Sequence, residues 1–99
     1  VVCTNPLSAG VYMVAQDIRG GRVFVGAYNP VDITELQLPA SGTTCTANLI
    51  DTASTSFPGS LFYDPFSSRL YYTMWASTDG AGGVRYATGG GATWTIEHA

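Results

Sequence analysis

The sequence predicts an all-β fold of two four-stranded antiparallel units, and three observations carry that prediction. Glycine and β-branched residues are too dense for helices, and no 3.6-residue apolar period persists. Eight short runs of strand-forming residues are punctuated by Gly, Pro, Asn, Asp and Ser. Halfway along, the series of runs starts again, so the chain contains an internal repeat.

The first four runs are Tyr12 to Gln16, Arg22 to Tyr28, Ile33 to Leu38 and Thr43 to Ile50. Ile33 to Leu38 (ITELQL) alternates apolar and polar residues, as a half-buried strand should. The second four are Ser60 to Tyr63, Arg69 to Trp75, Val84 to Thr88 and Thr93 to Glu97. The 99 residues are expected to form one module, with a first unit over about 10–51 and a second over about 57–99.

The two units align residue by residue. Asp17-Ile-Arg-Gly-Gly-Arg22 matches Asp64-Pro-Phe-Ser-Ser-Arg69 at an offset of 47, and Tyr28 then matches Trp75. Gly42-Thr-Thr-Cys-Thr46 matches Gly91-Ala-Thr-Trp-Thr95 at an offset of 49, which two extra residues in the Asp79–Gly83 loop would explain. Four strands in 40–50 residues is the size of a β-propeller blade; eight short strands also suit a β-sandwich, and the repeat favours blades. Asp17 with Arg22, and Asp64 with Arg69, flank their turns on opposite strands. Each pair is read as a hairpin fastener, worth less than about 1 kcal/mol where exposed.

At the Gly-rich turns the chain resembles the Asp-box repeat of sialidase-type β-propellers, whose pattern is S/T-x-D-x-G-x-T-W. In Ala87-Thr-Gly-Gly-Gly-Ala-Thr-Trp94 the residues Gly91, Thr93 and Trp94 match, while Gly89 stands at the box's Asp and Ala87 at its Ser. In Leu38-Pro-Ala-Ser-Gly-Thr-Thr-Cys45 only Gly42 and Thr44 match. The resemblance implies a propeller blade in which the box is a structural hairpin and Trp94 packs against the blade. Sialidase activity in that family needs an arginine triad, a Tyr–Glu pair and an acid Asp spread around a whole propeller. Two blades do not supply that set, and Arg22 and Arg69 already have a role at their turns, so the activity is not carried over.

Composition narrows the class further. Charged residues are 11%, against about 25% in an average soluble domain, and Lys is absent. Four scattered arginines in a chain of net charge −3 do not make a phosphate-binding surface, so nucleic acid is not an expected partner. No run of about 18 apolar residues is present, and a membrane span is not expected. The start at Val1-Val2-Cys3 reads as a processed or excised end. Cys3 and Cys45 are expected to pair in an oxidising compartment, extracellular or periplasmic. Such a bond would close about 40 residues and contribute about 3–4 kcal/mol on the chain-entropy model; two buried thiols are the alternative.

No catalytic residues, metal site or cofactor are assigned. His98 is the only histidine and lies next to the chain end, the five aspartates are scattered, and no Lys or helix follows Gly89-Gly90-Gly91. The binding candidates are Tyr28 and Trp75, which end the second run of each unit, with Asn29 and Asp79 in the adjoining loops. Such aromatics stack on sugar rings while amide and carboxylate groups bond hydroxyls, and they equally serve as inter-blade core. Two blades alone leave unpaired surfaces, so a homo-oligomer or a missing companion chain is expected, with a glycan as the candidate ligand. The competing functions are a structural assembly subunit and a piece of a larger sialidase-like propeller.

Overall fold

The structure is a computed structural model, and it describes residues 10–28, 31–39, 41–53, 56–76 and 83–98. The strands are β1 (Gly10–Asp17), β2 (Arg22–Tyr28), β3 (Val31–Gln37), β4 (Thr46–Ala53), β5 (Ser56–Asp64), β6 (Arg69–Ala76), β7 (Gly83–Gly90) and β8 (Thr93–His98). They form two antiparallel four-stranded meanders, β1-β2-β3-β4 and β5-β6-β7-β8. Every predicted run falls on a strand, the third ending at Gln37 rather than Leu38. The fourth starts at Thr46 rather than Thr43, because residues 41–43 bend around Gly42, whose φ is +80°.

The repeat extends to backbone irregularities. A β-bulge interrupts β1–β2 pairing between Val11 and Met13, and another interrupts β5–β6 pairing between Pro58 and Ser60. The extra residues are Tyr12 and Gly59, equivalent at the offset of 47. Both Asp turns also carry one left-handed residue at matching places, Gly21 (φ 64°) and Ser68 (φ 56°). Serine accepts this conformation only at a cost, so the turn geometry outlasts the glycine that suits it.

The pairing register corrects the length difference between the units. Phe24 pairs with Glu35 and Tyr71 with Tyr86, so the third strands are offset by 51, where two extra residues in the Asp79–Gly83 loop predict 49. Glu35 pairs with Asn48 and Tyr86 with Glu97, which returns the fourth strands to 49. The second unit therefore has four extra residues between β6 and β7, and two fewer between β7 and β8. Counting on sequence alone sees the net two and misses the compensation.

These equivalences show which faces meet. Phe24 and Ile33, with Ile50 of β4, pack against Leu70, Tyr72, Met74 and Ala87 of the second sheet, with Tyr63 and Trp94 at the margin. In the first sheet the equivalents of Leu70, Tyr72 and Ala87 are Val23, Val25 and Leu36, which lie on the face opposite Phe24. The contact is therefore head to tail: one face of the first unit meets the opposite face of the second. Val25, Leu36 and Cys45 form a separate buried cluster on that opposite face, with Val23 beside them. Cys3 lies outside the described residues.

Candidate functional site

Arg22 begins β2, directly across from Asp17 at the end of β1, and the turn between them brings the two together. Its Nε donates to Asp17 Oδ2 at 2.8 Å, which is the fastener that the spacing predicts. Nη1 also donates to Glu35 Oε2 at 2.7 Å and to the Gly89 carbonyl at 3.1 Å, and Nη2 donates to Tyr63 Oη at 3.1 Å. Gly89 and Tyr63 belong to the other sheet, so Arg22 ties the two units together as well as its own hairpin. The rings of Phe24, Tyr63 and Trp94 stand 5.1, 5.3 and 5.5 Å from the guanidinium carbon. A cation walled by three aromatic rings gains from each ring quadrupole while water is excluded.

Glu35 is the centre of the cluster and is fully buried, at 0% exposure. Besides Arg22 it accepts from Gln37 Nε2 (3.2 Å), Asn48 Nδ2 (3.0 Å) and the Gly91 amide (3.1 Å). The last bond crosses to the β7–β8 turn. No aspartate is present within that turn, and the carboxylate at its amide comes from the neighbouring sheet. Trp94 Nε1 closes the same turn onto the Gly91 carbonyl at 3.1 Å, and its ring meets Phe24 edge-on at 5.9 Å.

The charges are mutually satisfied. Burial opposes ionisation of Asp17, but the Arg22 bond, the Gly20 amide and the Arg22 charge hold its carboxyl below the ordinary 3.8. Burial likewise opposes the Arg22 charge, and Asp17, Glu35 and Tyr63 outweigh it, holding the guanidinium above its usual range. A second polar group lies elsewhere between the sheets, where Tyr72 Oη donates to Asp51 Oδ2 at 2.7 Å and Arg85 Nη1 to the same oxygen at 3.0 Å.

The second unit's turn pair behaves differently. Asp64 and Arg69 face each other in register. Asp64 turns instead onto its own hairpin, accepting from Ser67 Oγ at 2.7 Å and the Phe66 amide at 3.0 Å. These bonds, the Ser67 hydroxyl first, hold its carboxyl below the ordinary range. Arg69 stands 4.4 Å over the Tyr86 ring and donates to Tyr71 Oη at 3.3 Å. Tyr86 in turn donates its hydroxyl to Glu97, which raises the phenol above its usual range. These residues form the outer face of the second sheet, with Phe62 and Val84 exposed beside them.

The structure brings together Asp17, Arg22, Gly91 and Trp94, and it leaves Asp64 and Arg69 on the outer face. Thr93 opens β8 opposite Gly90. Tyr28 ends β2, paired with Gly10, and Trp75 stands one residue from the end of β6, paired with Phe57. Their side chains, and residues Asn29 and Asp79, lie outside what is described. Glu35, Tyr63, Asp51 and Arg85 were not singled out by the sequence. Among the described residues no group of three or more His, Cys, Asp or Glu is placed to hold a metal. No protein-family model, curated protein or solved structure matches the chain.

Gly89 supplies a test of the Asp-box likeness. Its φ is +137°, and a Cβ there would lie 2.2 Å from the Thr93 carbonyl oxygen. Gly89→Asp would restore the box's acid, yet it is expected to destabilise the fold by about 1–3 kcal/mol through backbone strain. Urea denaturation measures this; a stabilised variant would show that the turn can adopt the ordinary Asp-box form.

Proposed function

We propose that the chain is a propeller-type repeat module, non-catalytic by itself, that acts outside the cytosol. It works by joining further four-stranded units and binds carbohydrate or another surface through that assembly. The observation that carries the reading is the head-to-tail contact. Sheets paired about an internal two-fold axis present equivalent faces to each other, whereas successive blades present unlike ones. Unlike faces that meet inside the chain leave unlike faces at its two ends.

The chemistry of the interface supports a structural role. Arg22 directs Nε, Nη1 and Nη2 to acceptors within the protein, and its ring neighbours wall it in, so it is suited to holding sheets rather than an anionic ligand. Cys45, 4% exposed beside Val25 and Leu36, is assigned a disulfide with Cys3, in keeping with a secreted module. The sugar-binding surface is assigned to the strand ends away from the Asp turns. There Tyr28 is the last residue of β2 and Trp75 the last but one of β6, with Asn29 and Asp79 following them in the sequence. The second reading is a structural subunit whose assembly is its whole function, favoured by a charged fraction of only 11%.

Light scattering on a sizing column across a dilution series tests the assembly, and a glycan array tests the ligand. The expected result is a discrete multiple of the 10.4 kDa chain that binds a sugar, with binding lost in a Trp75→Ala variant that still assembles. Assembly without any sugar leaves the structural reading. A folded monomer at all concentrations overturns self-assembly.

A further inference from the structure

We propose that the outer face of the second sheet docks a second copy of this chain, with Arg69 entering a cavity at the turn end of that copy's first sheet. This rests on the assembly reading above and adds to it the two surfaces and the residue that joins them.

The interface inside the chain is the template. There the face bearing Arg22 and Phe24 lies on the face bearing Tyr63, Leu70, Ala87 and Gly89, and Arg22 reaches Tyr63 Oη and the Gly89 carbonyl. The repeat gives each partner a counterpart. Arg69 and Tyr71 stand where Arg22 and Phe24 stand, on an outer face that no described strand covers. Phe62 is 64% exposed there and Val84 44%, on either side of the Tyr71–Tyr86 ring pair. Gln16, Val23, Leu36 and Leu38 stand where Tyr63, Leu70, Ala87 and Gly89 stand.

Those four counterparts line one cavity. It measures about 410 Å³ at the turn end of the first sheet, and Asp17, Ile18, Gly21 and Arg22 complete the wall. It therefore occupies the place that Arg22 fills in the equivalent contact. Val23, Leu36 and Leu38 offer an apolar wall to the aliphatic stem and the Gln16 amide oxygen an acceptor to the guanidinium, while the Asp17 carboxylate stays bonded to Arg22. Val25, Ala27 and Thr34 on the same sheet, and Cys45 beside them, are already buried within the chain, so the docking is confined to the turn end. Arg69 is placed to move into it, since its contacts on its own sheet are the Tyr86 ring and the long Tyr71 bond, with the Glu97 charge on the same face. Because the two surfaces differ, copies add head to tail and either close a ring or grow into a filament.

Sedimentation velocity over a dilution series tests this on four proteins: the unchanged chain, Arg69→Glu, Gln16→Arg and the double variant. Each single change is expected to raise the dissociation constant between copies about tenfold or more, since each puts like charge or lost contact at the centre of the interface. The double variant reverses the charges and is expected to recover to within about threefold of the unchanged chain. Equal urea midpoints for all four confirm folding; if Arg69→Glu fails to fold, Phe62→Ser, at an exposed site, carries the same expectation. If the unchanged chain assembles and the single variants assemble as well, this docking is wrong and the assembly reading stands. If the unchanged chain stays monomeric throughout, the assembly reading fails and this docking with it.

Discussion

Glu35→Ala is expected to destabilise the fold by about 3–5 kcal/mol, the cost of leaving a buried charge and its donors without their partner. Removing the carboxylate strips Arg22 of one ion pair and leaves Gln37, Asn48 and the Gly91 amide each short of an acceptor. The Gly91 bond crosses between sheets, so the loss falls on the contact between units as well as on β3. Urea denaturation of Glu35→Ala, Arg22→Ala and the double variant measures it. The single losses should not add, with a coupling of about 0.5–3 kcal/mol. Additive losses, or a Glu35→Ala cost below about 1 kcal/mol, would show that the cluster does not hold the units together.

The same cluster gives an acid dependence. The folded state holds the Asp17 carboxyl below its ordinary 3.8. A depressed acid contributes stability that is present above the unfolded value and is lost as pH falls through the folded one. Stability should therefore fall as pH drops below about 4–5, and Asp17→Asn should flatten that fall.

Why Glu35 escaped the sequence is instructive. ITELQL alternates apolar and polar residues, and the ordinary reading turns Glu35 to solvent. The alternation is real, but the first sheet is buried on both faces. Phe24 at 0% exposure and Val25 at 3% lie on opposite sides of one strand. The face carrying Glu35 meets the second sheet, and its polar residues are buried because Arg22 and the Gly91 amide are there to satisfy them. Only the ladder register, which puts Phe24 opposite Glu35, reveals this. Strand positions, the Asp turns and the repeat were legible because turn residues and strand formers act locally. Partners such as Tyr63 and Gly89, which lie 41 and 67 residues from Arg22, are set by how two sheets stack, and no local pattern encodes that.

The repeat makes Phe24 and Tyr71 equivalent, and the head-to-tail contact makes them unequal. Phe24 is fully buried, stacked on Tyr63 at 5.2 Å and edge-on to Trp94 at 5.9 Å. Phe24→Ala should cost about 3–5 kcal/mol, combining lost burial with a cavity between two sheets that cannot close over it. Tyr71 holds the same place on the outer face, partly exposed, with Tyr86 at 5.7 Å as its ring neighbour. Tyr71→Ala should cost about 1 kcal/mol or less in the monomer, the scale of one ring pair at a surface. Urea midpoints of both variants, taken at a concentration where the chain is monomeric, decide the matter. A ratio near three or more supports two unlike faces, one closed within the chain and one left open. Equal costs would mean that the outer face is already covered in the monomer, and that head-to-tail docking of a further unit has no surface to use.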